Sequence, residues 1–142
     1  MSHKDLDLLL DFLVHTASSL QVRGGNFRPF AAMMTAEGKI AKLGGHAANG
    51  HIAPAEALRS LEDGLRVMAR QGRCKAVGLC FDTNFQQGPN TGSERAVGIF
   101  LEHRDGSAYR FVIPWDTNRS AHLSGKGLIP IPSPPKIFAK VA

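Results

Sequence analysis

Between residues 4 and 20 the apolar side chains recur at helical spacing. Leu6, Leu9, Leu10, Leu13, Ala17 and Leu20 share one side, and Asp7, Asp11, His15 and Ser18 take the other. The spacing predicts an amphipathic helix, with Ser2 placed to cap it and Arg23-Gly24-Gly25 to end it. The period then changes. PFAAMMT (29–35) reads as a strand, Ala36-Glu37-Gly38-Lys39 as a turn, and Lys39 to Leu43 as the returning arm of a hairpin. A glycine-rich loop, GGHAANGH (44–51), leads to Pro54 and a second helix. Its stripe is Leu58, Leu61, Leu65 and Met68, and Gly72 closes it.

KAVGLCFDTNF (75–85) sets large side chains (Val77, Leu79, Phe81) against small ones (Ala76, Gly78, Cys80). That suits a central strand with a helix packed closely on its small-residue face. QQGPNTGS is a loop. AVGIFLEHRDGSAYRFVIPW (96–115) carries the strongest hairpin pattern, with Val97, Ile99 and Leu101 alternating on one arm and Tyr109, Phe111 and Ile113 on the other. Asp105-Gly106 makes the turn. The rest is irregular, and its prolines between Ile129 and Pro135 favour an extended path. Leu128, Ile129, Ile131, Ile137 and Phe138 predict that this tail is docked and its apolar side chains buried.

The expected architecture is one α+β domain over residues 1–142. An antiparallel sheet of about five strands carries two helices packed on one face, in the order α-β-β-α-β-β-β, with residues 117–142 as a basic, proline-rich docked tail. This order resembles the profilin-like folds, including the roadblock and longin domains, over roughly residues 4 to 115. Separately, FRPFAAMMTAEGKI, FDTNF and AVGIFLEHRDGSAYRFVIPW resemble a group of small uncharacterised bacterial proteins. That resemblance implies a family without implying an activity or catalytic residues.

Composition narrows the classes. With 142 residues, 43% hydrophobic and 20% charged, the chain can bury a core and is too balanced for disorder. No apolar run approaches the length of a membrane span. MSHKDLDLLLDFL carries three aspartates, which is wrong for a secretory signal, so the expected location is cytoplasmic and Cys74 and Cys80 are expected to be free thiols. The net charge is +5, and from Thr117 onward Arg119, Lys126, Lys136 and Lys140 face no acidic residue.

Candidate chemistry is thin. His46 and His51 lack the third and fourth ligands that zinc takes, so no metal is expected there. Gly44, Gly45 and Gly50 precede a helix but lack dinucleotide-loop spacing, and Ser124-Gly125-Lys126-Gly127 lacks the flanking residues of a P-loop. Glu102-His103-Arg104-Asp105 reads as a solvated hairpin end, because neighbours on a strand point to opposite faces and cannot share one substrate atom. Arg59, Arg66, Arg70 and Arg73 line one helix side. Glu62 and Asp63 lie among them and no aromatic accompanies them, so a solvated face is preferred to nucleic-acid binding. Cys80 is expected to be buried, and Cys74, beside Lys75, is the only candidate redox-sensitive thiol.

No catalytic, cofactor-binding or metal residue is therefore assigned, and no cofactor is expected. The leading expectation is a non-catalytic protein-interaction module acting as a homodimer, with no membrane partner. A small-molecule or enzyme site between sheet and helices is the alternative, and weak nucleic-acid binding through the basic helix face ranks third.

Overall fold

The computed structural model describes residues 3–24, 29–44, 54–85, 94–116, 122–123 and 131–138. The elements run α1 (Lys4–Gly24), β1 (Phe30–Met34), β2 (Ile40–Gly44), α2 (Pro54–Arg70), β3 (Ala76–Phe85), β4 (Glu94–His103) and β5 (Ala108–Asp116). Two short strands follow, β6 (His122–Leu123) and β7 (Ile131–Pro132). The sheet is antiparallel in the order β2-β1-β3-β4-β5-β6, and β7 adds to β5 as well. The α+β class and the first seven elements match the sequence reading. The tail contributes two strands where only an extended path was expected, because β5 offers it an open edge.

The helices lie on opposite faces, which corrects the one-faced arrangement expected from sequence. Along β1, Phe30, Ala32 and Met34 join Leu6, Leu9, Leu13 and Ala17 of α1 in one core. The alternate residue Ala31 joins Leu65 of α2 in another, with Met33 packed against it. Side chains alternate across a strand, so the two cores are separated by the sheet. The physical reason is in the central strands. Ala76 and Cys80 are buried, but so are Val77 and Leu79, and a sheet that is apolar on both faces needs a cover on each. In β4, residues 96–103 are buried without a break.

Helix α1 approaches β3 where the small side chains permit it. A Cβ added at Gly78 would stand 2.6 Å from Leu13 Cδ1 and 3.2 Å from Leu101 Cδ2. Helix α2 ends with Arg73 N–H donating to Met68 O at 3.0 Å and Gly72 N–H to Ala69 O at 3.1 Å, which satisfies carbonyls left over at its last turn. This helix packs on β1 and β3. The outer part of its face of the sheet, over β4 and β5, is therefore left to the tail. Among the described residues, no helix is long and apolar enough to cross a membrane.

The close approach gives a coupled prediction. Gly78→Ala should lower stability in urea unfolding by about 1–3 kcal/mol through overpacking. In a Leu13→Ala background the same change should cost much less, because the new methyl enters the space that Leu13 vacates.

Candidate functional site

Alternation along β4 sends Phe100 and Glu102 to the α2 side and Leu101 and His103 to the α1 side. Glu102 has no exposed surface, and a carboxylate in such a place requires donors. The tail supplies them. Lys136 N–H and Ile137 N–H donate to Oε1 at 2.7 and 2.8 Å, and Phe138 N–H donates to Oε2 at 2.7 Å. Three consecutive backbone amides thus close around one side chain. Ile137 is buried beside Leu65 and Phe100, Arg66 Nε donates to the Lys136 carbonyl at 3.0 Å, and Lys136 Nζ lies 3.2 Å from Glu62 Oε1. Earlier in the tail, Ser133 N–H bonds Ala108 O at 3.0 Å, and Ile131 and Pro132 pair with Arg110 and Tyr109.

The docked tail and the part of the sheet beyond α2 enclose a groove of about 530 Å³. Its floor is Phe81 and Thr83 of β3, Gly98 and Phe100 of β4, and Arg110 and Val112 of β5. Ile131 and residues Ser133 to Lys136 form its wall. The lining is mainly apolar, and its two charged groups are both cations. The Lys136 ammonium stands 4.6 Å from the Phe100 ring centroid, a cation–π contact that keeps it over the floor. Gly98 lets the Phe81 ring lie flat on the sheet, since a Cβ there would come within 2.3 Å of the ring. The polar side chains around the groove (Thr83, Ser133, Arg110 and Lys136) can hold an anion. None of the lining side chains is a carboxylate, imidazole or thiol that could relay a proton.

On the α1 side, the hairpin turn meets the start of α1. His103 Nε2 is 3.0 Å from Asp5 Oδ2, which Lys75 Nζ also approaches to 3.4 Å. His3 Nε2 is 2.9 Å from Asp105 Oδ2, and the His3 and His103 ring centroids are 4.4 Å apart. The His103 hydrogen bond, with Lys75 adding to it, holds the Asp5 carboxyl below its ordinary range against the opposing effect of burial. The Ser107 amide does most to bring Asp105 down to about 2, helped by His3. Gly106, at φ +99°, permits the tight reversal that turns Asp105 back toward the histidines.

The solvated reading of Glu102-His103-Arg104-Asp105 is thereby half corrected. Arg104 and Asp105 are exposed, but Glu102 and His103 are buried. The expected opposition of their faces holds, and each finds its partners on its own side. Arg59, Arg70 and Arg73 are exposed as expected. Arg66 departs from the stripe by binding Asp63 at 2.9 Å, Glu62 at 3.5 Å and the tail carbonyl. Both cysteines are free and buried, and burial pushes both thiols up, which works against the redox role considered for Cys74. Ile131 is 46% exposed, contrary to expectation, because it stands at the groove's wall rather than in the core. Apart from Gly44, the GGHAANGH loop with His46 and His51 lies outside the described residues, as do Ser124 to Gly127, Leu128 and Ile129. The chain matches no family model, no curated protein and no solved structure, so its chemistry rests on its own residues.

The amide clamp is open to a direct test. In Glu102→Gln, Oε1 can still accept two amides, but the new NH₂ faces the Phe138 N–H, donor against donor. Urea unfolding should show a loss of about 1–3 kcal/mol, the usual cost of an unsatisfied buried donor.

Proposed function

We propose that the protein is a non-catalytic binding module that holds a small organic anion with an apolar body in the groove beneath its tail. The observation that carries this reading is the combination of an apolar floor (Phe81, Phe100, Val112) with Arg110 and Lys136 at the same groove. The floor takes the ligand's apolar body, and the Arg110 guanidinium takes a carboxylate, sulfonate or phosphate, with the Lys136 ammonium, paired to Glu62, adding positive charge at the wall. A volume of about 530 Å³ suits a small molecule. Val112 is 42% exposed and Ile131 46%, so the apolar surface that a ligand would cover is open to water.

The probe is anilinonaphthalene sulfonate, an aromatic anion, followed by its fluorescence on titration. Saturable one-to-one binding is expected. Val112→Glu, which sets a carboxylate on the floor, should abolish it, and Arg110→Gln should weaken it by about tenfold, the equivalent of one modest ion pair. Both positions are exposed, so the variants should fold, which circular dichroism checks. Binding unchanged in both variants would sink the proposal.

A second reading, self-association as a homodimer, is favoured by β2. It is the outer strand at the sheet edge opposite β6, and among the described residues only β1 pairs with it. Such an edge can recruit the same strand of another copy. Equilibrium sedimentation at high micromolar concentration should then give about twice the chain mass, and a single species of 15.3 kDa removes this reading.

A further inference from the structure

The cluster at the hairpin turn is separate from the groove, being on the other face of the sheet. His3, His103 and Asp105 each bring one potential ligand atom, and these atoms lie within 4.8 Å of one another. From Asp105 Oδ2 the distance is 2.9 Å to His3 Nε2 and 3.4 Å to His103 Nδ1. Nitrogen and oxygen atoms bound tetrahedrally to zinc stand roughly 3.3–3.5 Å apart, given bonds of about 2.0–2.2 Å. Two of the three separations are thus at or near that spacing, and side-chain rotation closes the third. We propose that His3 Nε2, His103 Nδ1 and Asp105 Oδ2 form a site for a zinc-like divalent transition-metal ion, with its remaining position open to water.

The surroundings orient each ligand. Asp5 Oδ2, 3.0 Å from His103 Nε2, fixes the tautomer that carries its proton there and leaves the Nδ1 lone pair for the ion. A carboxylate bonded to the far nitrogen of a metal-bound imidazole is a common support for such ligands. Asp105 Oδ1 is held by Ser107 N–H at 2.8 Å, which turns Oδ2 toward the two imidazoles. The His3 backbone is tied into the first turn of α1, its carbonyl accepting Asp7 N–H at 2.8 Å. Without an ion, Nδ1 of His103 accepts the Asp105 amide at 3.1 Å, and the ion replaces that single contact.

Charge favours a cation. Asp5 and Asp105 bring two negative charges, and Lys75 contacts Asp5 rather than the ligand atoms. His3 and Asp105 are 21% and 47% exposed at their side chains, so an ion can enter and keep a water. Two imidazoles and one carboxylate match the borderline character of zinc better than that of magnesium or calcium, which prefer oxygen.

The experiment titrates zinc into the untagged full-length chain against a chromogenic chelator, and records the visible spectrum with cobalt(II) in place of zinc. One ion per chain is expected, with a cobalt spectrum of low coordination number. His3→Ala and Asp105→Asn should each weaken binding at least tenfold and remove that spectrum. His15→Ala, at an exposed histidine on α1, should change neither. Asp105→Asn keeps the oxygen that accepts Ser107 N–H, and His3→Gln is the alternative if His3→Ala unfolds. No saturable binding overturns the proposal. So does binding that survives the combined His3 and Asp105 changes, which would place the ion elsewhere, for example at His46 and His51.

Discussion

A single carboxylate organises the second half of this molecule. Glu102 is wholly buried in the middle layer, and a charge there is tolerable only if its lone pairs are filled. Three amides from Lys136, Ile137 and Phe138 fill them, at 2.7–2.8 Å. Hydrogen bonds to an ionised group are each worth about 1.5–3 kcal/mol, so the set can offset the entropy of fixing a short irregular segment. Ile137 then enters the core that α2 began. Without this anchor the outer part of the sheet's second face would have no wall, and the groove would be a flat apolar surface.

The molecule's two sides differ in how they are finished. On the α1 side a continuous apolar helix face covers the sheet from β1 to β4 and closes the core. On the other side α2 packs mainly on β1 and β3. A strap of eight described residues covers part of what remains, held by polar contacts at one end and a two-residue strand at the other. Concavity comes from that mismatch between a wide sheet and narrow cover. The open strip is where Arg110 and Val112 alternate with the buried Phe111 and Ile113, so β5 presents one wet face and one dry one.

Much of the framework was legible along the chain, because it depends on local periodicity. The spacing of Leu6, Leu9 and Leu13, the alternation through β4 and β5, and the Asp105-Gly106 turn each announce one element. The close helix over Gly78 could also be read, since only a small side chain admits it. The placement of the second helix is less legible: the small side chains of Ala76, Gly78 and Cys80 point to a helix on their face, while Val77 and Leu79 require a cover on the other without saying which element supplies it. Glu102 and His103 were harder. Their partners lie 34 to 36 residues later and 98 residues earlier, a separation that no local pattern encodes. The one cue along the chain is phase: Glu102 falls in step with Phe100 and Gly98 on the same side of the strand.

Adjacent residues on β4 serve opposite sides of the sheet, and this makes the strand's length a matter of chemistry as well as packing. If β4 slipped by one position against β3 and β5, every side chain would exchange faces. A slip one way would set His103 before the tail's amides and Arg104 at the place of His103; a slip the other way would set Leu101 before the amides and Glu102 against Asp5. Both clusters would fail together, although no residue had been replaced. An insertion or deletion within such a strand would be read out on both faces at once.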